Sequence, residues 1–144
     1  MSRFSAQCVI YLALISVSAA WGADLAPNDE LALGNFAQID QIGSRNYFNV
    51  SQTGNGNNMQ GLQKGAANSA VLVQRGARNQ ADLSQNGQGN QLNLKQQGNQ
   101  DVAKLAQTGN KNQIQVTQAG SGLYVAVTQV GNQNQIKITQ TNAH

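Results

Sequence analysis

The most regular feature of this chain is a series of glutamines, whose side-chain amides can both donate and accept hydrogen bonds. One glutamine follows another every eleven residues, ten in all. A glycine stands two residues after each of the first nine, and Asn142 takes that place after the tenth. The glutamines are Gln41, Gln52, Gln63, Gln74, Gln85, Gln96, Gln107, Gln118, Gln129 and Gln140. The glycines are Gly43, Gly54, Gly65, Gly76, Gly87, Gly98, Gly109, Gly120 and Gly131.

Asparagines form a second series, six residues before these glutamines. Asp101 and Leu123 replace asparagine at two of the ten positions. The asparagines are Asn35, Asn46, Asn57, Asn68, Asn79, Asn90, Asn112 and Asn134. A buried amide costs free energy unless it is hydrogen-bonded, whereas identical amides stacked about 4.8 Å apart can bond to one another in ladders. We therefore predict that the glutamines, and the seven asparagines from Asn46 onward, form amide ladders, with the odd-numbered and even-numbered units in separate ladders.

Residues suited to catalysis or metal binding are scarce in this sequence. Its 144 residues include six Asp and Glu, one cysteine (Cys8) and one histidine (His144). None of them stands at the spacing of a nucleophile–base pair or a metal-ligand cluster. The basic residues are dispersed among very few aromatics, which is not the footprint of a nucleic-acid-binding protein. We therefore expect no enzyme, cofactor, metal ion, nucleic-acid partner or small-molecule substrate.

The segments between each asparagine position and its glutamine predict β-strands. The second and fourth residues after the asparagine position, such as Ile114 and Val116, are apolar at nineteen of twenty places, and Gly61 is the exception. Alternation by two is typical of a strand with one buried face. A right-handed helical coil also has an eleven-residue repeat, but this alternation would put its apolar residues on opposite sides of a helix, which the recurring glycine would weaken.

Each glutamine and the next asparagine position are separated by four residues, which suit a tight arc and are too few for a crossover helix. Glycine allows the backbone conformations that such an arc requires. Two strand–arc units make a 22-residue turn. The predicted fold is therefore all-β: a two-sheet parallel β-solenoid, amyloid-like, of five turns and ten 11-residue half-repeats over residues 35–144. The slimmer apolar residues of the odd units are expected to face bulkier ones across a thin core.

The first residues have the layout of a secretory signal peptide. A basic start at Arg3 precedes an apolar run from Val9 to Val17, which small residues follow at Ala20 and Gly22. This run is shorter than the roughly 20 residues that span a membrane. We expect residues 1–22 to be cleaved, with cleavage after Ala20 as the alternative, and residues 23–34 to form an N-terminal leader. Cys8 would then be lost, so the mature chain would contain no disulfide.

The repeats resemble those of curlins, the subunits of bacterial curli amyloid fibres. The curlin motif Gln-x-Gly-x-x-Asn-x-Ala-x-x-x-Gln is matched in full from Gln63 to Gln74 and again from Gln74 to Gln85. Looser copies extend from Asn35 to Gln140. The resemblance implies a secreted protein that passes through the curli outer-membrane secretion pore with its accessory factors. It also implies an extracellular, cell-surface fimbrium attached to the bacterial outer membrane, which supports adhesion and biofilm.

The charge of the repeats bears on which curlin this chain is most similar to. From Asn35 onward there are eight basic and three acidic residues, a formal charge of +5. Major curlins are acidic, and the basic array here is similar to the minor curlin, which nucleates the major subunit and anchors fibres at the surface. Opposite charge would steer an acidic major subunit to this chain. The expected partners are thus further copies of the chain and the major curlin subunit.

Two other functions remain open at the level of the sequence. The chain has the repeats that a major curlin, the bulk fibre subunit, would also need. A non-assembling, surface-binding β-solenoid is a further alternative, since solenoids present extended outer surfaces. Thr117, Thr128 and Thr139 align at the end of the repeats, but other residue types occupy this phase in earlier units. An outward array of one residue type is therefore lacking over most of the chain.

Overall fold

The computed structural model describes residues 15–18 and 34–142. Within these ranges the secondary structure is entirely β, and no helix long and apolar enough to cross a membrane occurs there. The strands are β1 (Ile15–Ser18), β2 (Phe36–Ser44), β3 (Tyr47–Asn55), β4 (Asn58–Ala66), β5 (Ser69–Ala77), β6 (Gln80–Gln88), β7 (Gln91–Asn99), β8 (Val102–Asn110), β9 (Gln113–Ser121), β10 (Tyr124–Val130) and β11 (Gln135–Thr141).

The strands form two parallel sheets, because consecutive strands from β2 to β11 alternate between them. Sheet A has the order β1-β3-β5-β7-β9-β11, and sheet B has the order β10-β8-β6-β4-β2. Neighbouring repeat strands pair in a register of 22 residues, so that Gln41 lies opposite Gln63 in sheet B and Gln52 lies opposite Gln74 in sheet A. The predicted two-sheet parallel β-solenoid of five turns is confirmed.

The core is a single apolar layer between the two sheets. Side chains alternate between buried and exposed along each interior strand, as in Gln91–Asn99. Each sheet therefore turns one apolar face inward. The odd and even units belong to different sheets, as the sequence predicts. The buried apolar side chains are Phe48, Val50, Met59, Ala70, Leu72, Ala81, Leu83, Leu92, Leu94, Ala103, Leu105, Ile114, Val116, Val125 and Val127.

The arcs have two positions at which the backbone adopts an unusual conformation. Eight of the nine arc glycines have φ between +105° and +146°, which Gly120 does not share. Two residues later, the backbone is left-handed in all nine arcs, with φ from +55° to +69°. Glycine fills this second position only at Gly56, Gly89 and Gly122. Six arcs therefore hold a non-glycine residue in a conformation that costs L-residues about 1–2 kcal/mol.

The predicted domain limits fall partly outside the described residues. Most of the predicted signal segment (1–22) and nearly all of the predicted leader (23–34) lie there, and their cleavage and boundaries stay predictions. The exception is β1, which lies within residues 1–22 and pairs in parallel with β3, with Ile15 opposite Val50. The edge of β3 can therefore receive a parallel strand.

Candidate functional site

The inward glutamines are brought together in two columns that run along the solenoid axis. In sheet B, Nε2 of each glutamine donates to Oε1 of the glutamine one turn later, from Gln41 to Gln129, at 2.7–3.1 Å. In sheet A the same bonds run from Gln52 to Gln140 at 2.7–3.0 Å. Because every bond points the same way, each column has an acceptor end and a donor end.

The same glutamines also connect the two sheets. In eight of the ten, all except Gln41 and Gln129 among the described residues, Nε2 also donates to a backbone carbonyl at the start of the strand in the opposite sheet, sixteen residues earlier. Gln85 Nε2, for example, donates to Ser69 O at 3.1 Å as well as to Gln107 Oε1 at 2.9 Å. Gln85 is completely buried and lies beside the apolar core. A glutamine thus closes the side of the core and holds successive turns in register.

The asparagines lie at the other edge of the core, but their bonding differs from the predicted amide-to-amide ladder. Asn68 Nδ2 donates to Lys64 O at 3.1 Å and to Gly87 O at 2.9 Å, both in arcs. Its Oδ1 accepts the backbone N–H of Asn90 at 3.1 Å. Direct side-chain bonds between asparagines join only two pairs among the described residues. The asparagines therefore satisfy the backbone of the arcs, and the difference arises because their shorter side chain reaches the main chain first.

The seven asparagines from the repeat series that we predicted as ladder residues occupy equivalent places. Six are buried, and Asn134, in the last described turn, is exposed. These asparagines are Asn46, Asn57, Asn68, Asn79, Asn90, Asn112 and Asn134. Asp101 and Leu123, which replace asparagine in this series, are joined by a hydrogen bond: the backbone N–H of Leu123 donates to Asp101 Oδ1 at 3.0 Å. Burial raises the pKa of Asp101, and this hydrogen bond opposes the rise only in part.

The arc glycines allow successive turns to approach one another closely. A Cβ added to Gly65 would collide with the carbonyl oxygen of Gly87, one turn later. The same collision with the next glycine carbonyl recurs at Gly43, Gly54, Gly76, Gly87, Gly98 and Gly109. The glycines therefore have a steric role in stacking, which their conformational freedom alone does not explain. The sequence signal for this role is the uninterrupted phase of nine glycines.

The two ends of the described solenoid present different groups. We call the outer edges of β2 and β3 the N-terminal face and those of β10 and β11 the C-terminal face. On the N-terminal face, Gln52 is 1% exposed and its Oε1 accepts no hydrogen bond among the described residues. On the C-terminal face, Gln129 is 4% exposed and its Nε2 likewise donates none there. These buried polar atoms are the acceptor end of one column and the donor end of the other.

No group of three or more His, Cys, Asp or Glu side chains that could hold a metal ion occurs in the described ranges. The chemistry of the repeat residues is instead hydrogen bonding along one axis. Comparison with known families identifies the repeats: residues 65–98 and 109–141 match the curlin associated repeat. The match supports the curlin family.

No curated protein sequence matches the chain. Of the two curlin-repeat matches, the first contains β5, β6 and all of β7 except its last residue, Asn99, and the second contains β9, β10 and β11. Both sheets therefore contain strands that match this repeat.

Proposed function

We propose that this chain is a structural subunit of extracellular curli fibres, and that it is the minor subunit, which nucleates the major subunit and anchors fibres at the bacterial surface. The observation that carries the proposal is the constant register of 22 residues through all five turns. Because successive turns repeat the glutamine, glycine and apolar columns with few exceptions, a turn from another chain can continue the stack.

The edges of the stack support assembly. Unpaired N–H and C=O groups on an exposed parallel edge form a template for further strands. The N-terminal edge strand β2 has nine residues and contains no proline. Its apolar residues Ala37 and Ile39 are only partly buried. Addition of another turn would bury them and pair the edge, so growth on an existing stack is favoured over starting a new one.

Charge supports the minor-subunit part of the proposal. All eight basic residues from residue 35 onward are exposed, whereas Asp101 is buried. The exterior of the solenoid is therefore positive. An acidic chain associates faster with a positive template than with a neutral template. This argument also explains why the minor subunit is favoured here over the bulk subunit, whose copies would repel one another at this charge.

The decisive experiment adds the mature chain in small amount to monomeric, acidic major subunit and records the lag before fibres appear. A shortened lag supports nucleation, and the shortening should weaken as salt rises, because screening removes steering. Three exposed residues provide a matched pair of variants: Lys64, Arg75 and Lys95 changed together to glutamate should lengthen the lag, whereas Lys64→Arg with Lys95→Arg should not. An unchanged lag with normal fibres of the chain alone would favour the bulk subunit instead.

Secretion and surface attachment are also proposed for this chain. We propose that it passes through the curli outer-membrane pore with its accessory factors and remains on the cell surface. Deleting residues 1–22 should retain the chain inside cells, and deleting the pore should leave it in the periplasm. Fractionation with an antibody against the repeats would follow both changes, and surface exposure of the chain without the pore would contradict the proposed route.

A further inference from the structure

The two faces of the solenoid are not interchangeable, because the glutamine columns have a direction. Each Nε2 donates toward the C-terminal face, so the N-terminal face offers acceptors such as Gln52 Oε1 and the C-terminal face offers donors such as Gln129 Nε2. Stacking two chains through unlike faces joins donors to acceptors. Stacking through like faces would oppose two acceptors or two donors. The columns therefore specify head-to-tail addition.

The close contacts of the arc glycines also run in one direction along the solenoid. A Cβ on Gly54, Gly76 or Gly98 would collide with the carbonyl of the glycine one turn nearer the C-terminal face. This column continues to Gly120 and then meets Asn142, which has a Cβ. The other column ends in glycine, at Gly131. The C-terminal face thus presents one arc with the required glycine and one without it.

The backbone at Asn142 differs from that at Gly131, the last glycine of the other column. Asn142, like Gly120 before it, does not have the positive φ of Gly131, and its N–H lies 3.4 Å from Ala119 O, whereas the equivalent distance from Gly131 N to Thr108 O is 3.0 Å. Its side chain bends back, and Nδ2 donates to Ser121 O at 2.7 Å. If Asn142 had the backbone conformation of Gly54 or Gly76, its Cβ would collide with the carbonyl of a glycine stacked one turn further on. In its observed conformation, the arc does not align with such a turn.

The effect on assembly is seen when the N-terminal face of a second copy is stacked on the C-terminal face of the first with the same spacing of 22 residues. Gln41 then follows Gln129, Gln52 follows Gln140 and Gly43 follows Gly131, and all three of these junctions are compatible. At the fourth junction, Asn142 faces the carbonyl of Gly54 in the next copy. Every equivalent place in the described solenoid up to Gly120 holds glycine.

We propose that Asn142 stops extension at the C-terminal face and that the N-terminal face is the one surface of this chain on which a fibre grows. The occupant of the N-terminal face is a curlin-type chain that has 22-residue turns and glycine where this chain has Asn142. The pairing of β1 with β3 shows that this edge receives a parallel strand, and Val17 there lies opposite Gln52. This inference rests on the proposed function and adds the direction of growth and the choice of partner.

The test compares the mature wild-type chain with Asn142→Gly, which removes the collision, and Asn142→Ala, which keeps a Cβ and serves as the matched control. Fibres of the glycine variant are used as seeds, and labelled monomers are followed on single seeds by fluorescence microscopy. Glycine-variant monomer should extend seeds at least about tenfold faster than wild-type or alanine-variant monomer, the usual size of an overpacking effect.

A second measurement tests the direction of growth. Wild-type chain should fit once onto the C-terminal end of a glycine-variant seed and then block it. Seeds that have been treated with wild-type chain and washed should therefore grow from one end only when glycine-variant monomer is added. Equal extension by wild-type and glycine-variant monomers, or by the alanine and glycine variants, would overturn this inference and leave the proposed function intact. Absence of fibres from all three chains, together with an unchanged lag of the major subunit, would overturn both.

Discussion

The ring of Phe48 occupies the space that a side chain at Gly61 would need. A Cβ at Gly61 would lie 2.5 Å from both Cε2 and Cζ of that ring. Phe48 belongs to sheet A and is 2% exposed, whereas Gly61 belongs to sheet B, opposite Ile39 and Leu83 in register. The one glycine in the apolar pattern is thus compensated by the one phenylalanine, across a core that is a single layer thick.

This relationship predicts a rescue between the two sites. Phe48→Ala should lower the free energy of unfolding by about 3–5 kcal/mol because it leaves a cavity. Gly61→Leu alone should be at least as harmful, since leucine would overlap the ring. The double variant should recover much of the loss, because leucine then fills the space of the ring as Leu83 does one turn later. Denaturant unfolding of the four chains measures the coupling, and strictly additive losses would contradict the packing.

The glutamine columns predict a strong contrast between buried and exposed amides. Gln85→Ala removes an acceptor from Gln63 and leaves Gln107 Oε1 without its donor, at completely buried positions. Each orphaned buried group costs about 1–3 kcal/mol. Gln115→Ala, on the exposed face of β9, should change stability by less than about 0.5 kcal/mol. Equal slowing of fibre formation by the two variants, followed by thioflavin fluorescence, would show that the columns do not guide assembly.

The sequence was informative about this fold wherever the repeat was strict. Its phase of eleven residues predicted the strands, the alternation of units between sheets and the inward side of each strand. It did not predict the bonding of the asparagines, because one- and two-methylene amides look alike in a pattern but reach different acceptors. It also did not reveal the second left-handed position of the arcs, since Arg45, Ala67 and Gln100 share no side-chain property. It also did not reveal that Phe48 compensates for Gly61, because the two residues lie in opposite sheets and their contact depends on how the sheets pack.

The two glycines of one arc are expected to respond very differently to substitution. Gly89→Ala places a Cβ in ordinary van der Waals contact with the Lys111 side chain, at 3.6 Å, and imposes φ of +64° on alanine. It should cost about 1 kcal/mol. Ala67 occupies the equivalent place one turn earlier with φ of +55°, which shows that the position tolerates alanine.

Gly87→Ala places a Cβ against the carbonyl oxygen of Gly109, which is backbone and has no room to yield. It should cost several times more than Gly89→Ala and should prevent stacking of the turns on either side. Urea unfolding and hydrogen exchange at the arc would compare the two variants. Similar losses would mean that glycine is required here for its conformation and not for the close approach of turns.

Asp101 stands where the repeat otherwise has asparagine, and this predicts a stabilising substitution. An asparagine there would donate to the carbonyls of Gln97 and Gly120, by analogy with the bonds of Asn79 to Arg75 and Gly98. Asp101 instead has a completely buried Oδ2 that finds no partner among the described residues. Asp101→Asn should therefore raise the free energy of unfolding at neutral pH by about 1–3 kcal/mol.

The pH dependence of this difference has a definite sign. Because burial raises the pKa of Asp101 in the folded chain, the folded state binds the proton more tightly than the unfolded state does. The folded chain is therefore favoured below the ordinary carboxyl range and loses this contribution as pH rises through the raised pKa. The advantage of Asp101→Asn should be largest near pH 7 and should shrink as the solution is acidified. Denaturant midpoints of both chains across the acid range would measure it, and an advantage that grew at low pH would mean that Asp101 is not held in this uncompensated position.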